Sequence, residues 1–448
     1  MNKDNLSWTW RGQLNYNSPF AENHRFFLKE EFTSNLFRQS ARENNWKDEN
    51  TLESGWRYHL SQRWDAVTRL KSHIFSDENS FVKFSKHLLM EELAYTYEKK
   101  VRVAPAIGWA AEDIYSFRDQ GWYTQIDVDV NNTDLGGYLG SGDGFSAVYW
   151  FPNRKNQEHR YFLSFEKEFS EYARDSIRVG YEFVKNAYYI SPADTGDNLE
   201  NVEINARYLY NRLNYRLSGR SRLNVETTIK NRDILQENPA LRNRRDEFNL
   251  NNNVEVQYQG QKVQGRLAFI NNQVTNLTSR RTGGGAAARN DLDGLQAAFN
   301  MMLNWKASRS DEFRTSFSYT KYEYASPDTA KKIDEDDLRF ISDLQYSHRF
   351  SAYFSLRIKA HLYLYHQIYI HSSRSGNNNW NRIYQLTPSF NYRLPGLLEH
   401  TAQIKILANY TVYDFEEVLP QARSYIYRKM VYSDSLRLHL TRSLDLLT

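Results

Sequence analysis

The stretch DVDVNNTD (127–134) sets Asp127, Asp129 and Asn131 at alternate positions, a supply of hard oxygen donors of the kind calcium takes. A calcium loop of the EF-hand type would need Gly at its sixth place and Glu at its twelfth; these are Asn132 and Tyr138. The carboxylates therefore read as the polar face of a strand. His361, His366 and His371 recur every five residues. On a strand, odd spacing sends neighbouring members to opposite faces, so they cannot converge on one metal ion, and no metal site is expected. LGGYLGSGDGF (135–145) is rich in glycine but lacks the Lys and the following helix of a phosphate loop; it reads as a flexible turn. RNRRDE (242–247) and NRKNQEHR (153–160) read as solvated basic loops, with an anionic lipopolysaccharide contact as their functional alternative. SRRTGGGAAARND (279–291) reads as a loop tip. The sequence carries no nucleophile elbow, no HExxH pair and no paired carboxylates in a helical context. Neither enzymatic activity nor a cofactor is expected.

What remains is charge arranged with a period of two. In FSLRIKAHLYLYHQIYI (354–370), Phe354, Leu356, Ile358, Ala360, Leu362, Leu364, Ile368 and Ile370 form one set, broken only by His366. Ser355, Arg357, Lys359, His361, Tyr363, Tyr365, Gln367 and Tyr369 form the other. Successive side chains on a strand point to opposite faces, so this is a long strand with one apolar and one polar face. The pattern recurs: Leu209, Leu213 and Leu217 alternate with Tyr210, Arg212, Asn214 and Arg216. Leu223, Val225 and Ile229 alternate with Arg222, Asn224 and Glu226, and Ile404, Ile406 and Ala408 with Lys405 and Asn409. About 21 such segments can be read, and no stretch has the 3.6-residue period of a helix.

Composition narrows the setting. The 448 residues are 25% charged and 15% aromatic, with 32 Tyr and no Cys; mean hydropathy is −0.76. Abundant Tyr in a polar chain suits a surface half aqueous and half apolar with an interfacial girdle. The absence of Cys excludes disulfides and thiolate metal sites and fits an exported protein. A net charge of +4 implies no nucleic-acid partner. No apolar run approaches the ~18 residues of a transmembrane helix, and MNKDNLSWTW lacks the apolar core of a signal peptide.

Connections alternate between tight turns and longer polar links. The turns include LSQRW (60–64), YEKKV (97–101), ARDSI (173–177) and LPGLL (394–398). The links include SPADTGDNLE (191–200), SPDTAKKIDEDD (326–337) and SSRSGNNNWN (372–381). An up-and-down sheet with tight turns on one rim and loops on the other produces this alternation. Pro105 and Pro388 fall inside expected strands, where a missing N–H marks bulges.

Strands of roughly 14–18 residues exceed those of globular sandwiches, while a tilted membrane crossing takes about 9–11. Arg or Lys on a lipid face near the midplane costs about 2–4 kcal/mol. The expected lipid-facing residues are therefore Phe354, Leu356, Ile358, Leu362, Leu364, Ile404 and Ile406. The expected pore-lining residues are Arg357, Lys359, His361, Lys405, Asn409, Arg212, Arg216, Arg222 and Glu226. In this pattern, over nearly its whole length, the chain resembles bacterial outer-membrane β-barrels. The resemblance implies residence in the Gram-negative outer membrane, among its lipid and lipopolysaccharide. The expected fold is all-β: one large antiparallel up-and-down transmembrane barrel spanning 1–448, of about 20–22 strands, with short periplasmic turns and longer extracellular loops. A count near 22 resembles the barrel of a TonB-dependent receptor, although no plug domain can be read. Bacterial barrels are normally even-stranded and end on an aromatic residue, unlike LTRSLDLLT, so an N-terminal segment or one strand is expected to be lacking. The expected function is a pore or transporter for hydrophilic solutes. The alternatives are a scaffold enclosing a partner protein or part of an export machinery, a barrel-embedded hydrolase, and a soluble all-β binding protein.

Overall fold

A computed structural model describes residues 6–38, 45–78, 82–115, 117–190, 198–238, 241–281, 292–326, 334–417, 423–441 and 444–447. Strands account for nearly all of them: β1 (Leu6–Ala21), β2 (His24–Arg38), β3 (Asn45–His59), β4 (Trp64–Asp77), β5 (Val82–Tyr97), β6 (Val101–Ile114), β7 (Phe117–Asp134), β8 (Leu139–Trp150), β9 (Lys155–Ser170), β10 (Ala173–Tyr189) and β11 (Leu199–Arg216). The series continues with β12 (Ser221–Asn238), β13 (Leu241–Gln259), β14 (Val263–Arg281), β15 (Leu292–Lys306), β16 (Asp311–Ala325), β17 (Glu335–Arg349), β18 (Phe354–Tyr369), β19 (Asn379–Leu394), β20 (Leu398–Tyr413), β21 (Tyr425–Thr441) and the four-residue β22 (Leu444–Leu447). Among the described residues the one helical element is a 3₁₀ turn at Ser375–Asn377.

Each strand pairs antiparallel with the next, from β1 to β22. This is the all-β, up-and-down order expected from the alternation. No pair joins β1 to β21 or β22 among the described residues. The connections from odd to even strands span two to four residues throughout, forming a short-turn rim. Those on the opposite rim span two to eleven: six are of six residues or more, whereas 78–81, 115–116, 151–154 and 239–240 are short. From β1 to β21 strand length also varies, from 12 residues in β8 to 19 in β13 and β14.

Four segments expected as connections are wholly or largely strand. ARDSI (173–177) opens β10, and the turn lies one step earlier at Glu171–Tyr172. RNRRDE (242–247) lies within β13, paired with both β12 and β14. NRKNQEHR (153–160) is mostly β9, and of LGGYLGSGDGF only 135–138 is turn. Gly136 and Gly137 hold φ of 71° and 87° there, values glycine adopts without a Cβ penalty. Residues 282–291 of the expected loop tip lie outside the described residues. Both in-strand prolines are present without a bulge. Leu93–Ala94 opposite Ala104–Pro105, and Thr387–Pro388 opposite Ile404–Lys405, are gaps in the ladder across which the register is unchanged. A missing N–H removes a bond there without inserting a residue.

Candidate functional site

Residues paired across a ladder share a face, so the register sorts side chains through the whole sheet. Arg212 faces Glu226 and Arg216 faces Arg222. Arg222 is in register with Gln257, and the row continues through Arg266, Met302, Ser316 and Asp343 to His361. His361 shares its face with Arg357 and Lys359, two and four residues away. Lys359 faces Thr387, which leads in register to Lys405; Tyr363 faces Ile383, which faces Asn409. All nine polar candidates thus stand on one face, here the polar face. By the same registers Phe354, Leu356, Ile358, Leu362, Leu364, Ile404 and Ile406 stand on the other.

Many cations of the polar face have a carboxylate, although Arg216, Arg222 and Lys230 have no ion pair among the described residues. Lys29 and Glu31 are 2.8 Å apart, Arg69 and Glu53 3.4 Å, Arg178 and Asp143 3.3 Å, Arg212 and Glu226 3.0 Å, and Arg314 and Glu312 2.9 Å; Arg266 pairs with Glu255. Arg102 contacts Glu92 at 2.6 Å and Asp129 at 3.6 Å. The carboxylates of DVDVNNTD are thus held by a guanidinium. The Oδ1 atom of Asn409 accepts no bond among the described residues, like those of Asn253, Asn304 and Asn381 on the same face. The three histidines are separate: His361 binds Asp343 (2.8 Å), His366 binds Asp414 (2.9 Å) and stacks on Trp380, and His371, beyond β18, binds Asp334 (3.1 Å).

One sector of the polar face is dry. Leu88, Met90, Ala106, Ala110, Tyr123, Ala147 and Phe151 form a buried cluster across β5 to β8. The 151–154 connection folds over it. A Cβ on Gly121 would meet the Trp150 carbonyl oxygen at 1.9 Å, so only glycine permits this approach. Arg154 is driven into the gap, where it donates to Asp119 (2.6 Å), Glu112 and the Ala187 carbonyl (2.7 Å) and lies over the Phe151 ring. Lys86 holds the other oxygen of Glu112 at 2.7 Å. Burial opposes charge on Arg154, but the adjoining carboxylates outweigh it and raise its pKa. Sequence reading missed this cluster because its partners lie 33 to 42 residues from Arg154. The available signal was the run of small residues Ala104, Ala106, Gly108 and Ala110 on one strand face.

The opposite face is apolar and unpacked. Leu89, Ile107, Leu163, Phe269 and Leu344 are each 50–55% exposed. Two rows of aromatics border it. Near the short turns, Trp305, Phe313 and Tyr346 follow at 5.3 and 4.7 Å, then His348, Phe350 and Phe354 at 4.3 and 5.1 Å; Trp64 lies 4.8 Å from Tyr95 in the same row. Near the other rim are Trp10 with Trp46 (5.6 Å), Trp109 with Trp122 (5.2 Å), and His366 with Trp380 (4.1 Å).

Fold and faces together define an all-β up-and-down sheet with a charged side and an oily side. No protein-family model matches the chain, and no curated protein matches it in sequence. Among solved structures it is similar to the alcaligin outer-membrane receptor FauA of Bordetella pertussis, at 10% identity over 100% of this chain and 74% of that one, with a TM-score of 0.35. It is also similar to a mutant ferric enterobactin receptor, PfeA, of Pseudomonas aeruginosa (10% identity, 90% and 74% covered, TM-score 0.40). A third is the ferric-catecholate import receptor Fiu of E. coli (7% identity, 99% and 75% covered, TM-score 0.41).

Proposed function

We propose that the protein is an outer-membrane β-barrel transporter, its apolar face in lipid and its polar face lining an aqueous path for hydrophilic solutes. The observation that carries this reading is the exposed apolar band between two aromatic rows. From Phe354 to His366 on β18 is twelve residues, about 40 Å of strand and, at a tilt near 45°, about 28 Å of height. That matches the apolar band of membrane barrels and their girdles. A soluble protein rarely leaves so large an apolar surface bare. The reverse orientation would set Arg357, Lys359 and Lys405 in lipid, at about 2–4 kcal/mol each near the midplane.

On this reading, strand direction decides which strands meet at the seam. In an alternating sheet β1 and β21 run the same way, so β22, antiparallel to β21, is the strand that meets β1 antiparallel and makes the count even. On this reading the whole chain, 1–448, forms one barrel.

The test is planar-bilayer recording of the refolded chain. Transport through the lumen predicts stepwise conductance on insertion. Protein that inserts but stays silent would replace this reading with that of a scaffold around a partner. Protein that remains monodisperse in buffer without detergent would remove the membrane altogether.

A further inference from the structure

The polar face is not evenly neutralised. Across β18 to β21 its inward-register positions carry Arg357, Lys359, Lys405 and Lys429 in the strand bodies. The only carboxylate on this face of the four strands is Glu399, and Arg393 already holds it at 2.8 Å. None of the four cations has an ion pair among the described residues, unlike Lys29, Arg102, Arg212, Arg266 and Arg314; Arg216, Arg222 and Lys230 also lack one, but Glu226 and Glu255 share their part of the face. On the flanking β17, Asp343 is engaged by His361 and Asp337 accepts from Tyr365 at 2.9 Å.

The four charges sit close together. Lys359 and Lys405 flank Thr387 in register, two strand spacings or about 10 Å apart. Arg357 is one side chain along from Lys359 on the same face, and Lys429 faces Leu407, the next residue of that face after Lys405. Uncompensated like charges at such spacing raise local potential and draw counter-ions. The residues between them, Gln385, Ser389, Gln403 and Asn409, offer hydrogen bonds without opposing charge. Three of the four cations are lysines, point charges that attract anions without the fixed bidentate geometry of arginine. Such a surface favours entry and still lets go, as conduction requires.

We infer that this basic wall is the solute-contacting surface of the barrel and that the solute is a hydrophilic polyanion, carrying several carboxylates or phosphates. The inference deepens the transport reading and rests on it for the direction the wall faces.

The experiment uses the full chain in detergent at low ionic strength, titrated calorimetrically with citrate and, separately, with pyrophosphate. Binding of citrate, pyrophosphate or both supports the site and names the anion class. Affinity should fall about fivefold for each charge removed in Lys405→Gln and in the double variant Lys359→Gln/Lys405→Gln. It should stay within about twofold in Lys29→Gln, whose charge is already paired. Unheated-gel mobility confirms that each variant is folded. Failure of both probes to bind, or equal affinity in the double variant and the parent, overturns the inference. Reversal potentials in a KCl gradient separate the two readings. Anion preference that disappears in the double variant supports both. Conductance without anion preference and without binding overturns this inference alone, whereas binding without conductance overturns transport and leaves the polyanion site standing.

Discussion

Arg154 keeps its charge inside the protein: its side chain is 2% exposed, against 6% and 3% for Glu112 and Asp119. A buried ion cluster of this kind is weak evidence for net stability, but removing one member leaves the others uncompensated. Arg154→Met, which keeps the bulk over Phe151, is expected to destabilise the folded chain by about 3 kcal/mol. That is the lower end of the usual range, because Glu112 keeps Lys86. Adding Asp119→Asn should recover part of the loss. Urea titrations of the chain refolded into vesicles would give both values; a single variant as stable as the parent would show that the cluster is not held together by its charges. Nothing near Arg154 in the sequence announces this role. Its neighbours Asn153 and Lys155 are of the same polar type, and only the successive pairing of β6 through β10 brings the partners together.

At the level of strands, the alternation was legible because a sheet projects its side-chain period directly onto sequence. The register from β11 to β20 keeps every polar candidate on one face without a slip. Adjacent residues should therefore respond oppositely to charge. Leu386→Arg, at the middle of β19 on the apolar face, is expected to cost about 2–4 kcal/mol of insertion stability, and Gln385→Arg next to it less than about 0.5. Similar penalties at the two positions, read from urea midpoints in vesicles, would contradict the assignment of faces. Strand ends were less legible. RNRRDE was read as a loop because charge density suggests solvent. β12, β13 and β14, at 18 to 19 residues, are longer than a membrane crossing needs. Their outer ends can carry charge on both faces, as Arg244 does between Asp233 (3.1 Å) and Asp246 (3.2 Å). The prolines were misjudged for a different reason. A lost ladder bond need not insert a residue, and here the chain keeps its register across the gap.

For the molecule as a whole, the two edges are the telling feature. From Ser7 to Asn17, β1 is exposed on both faces, and so are Tyr425 to Met430 of β21. An interior strand would be shielded on both sides, and bare edges invite pairing. Closure of β22 against β1 predicts that Ser18→Cys, near the short-turn end of β1, forms an intramolecular disulfide with a cysteine placed at one of the positions 444–447. The chain has no native Cys to confuse a non-reducing gel. Only intermolecular dimers at all four positions would mean that the seam is filled by something else.

The unequal strand lengths have a consequence for the approach to the opening. With the short turns level, the seven extra residues of β13 and β14 over β8 amount to about 23 Å of additional chain beyond the far rim. In the barrel proposed above, the entrance is then slanted, with a tall parapet on one side and a low sill beside the tight 115–116 and 151–154 connections. A bulky visitor arriving from outside would be turned back by the parapet and admitted over the sill, so the flank from which it comes is set by the wall before any side chain touches it.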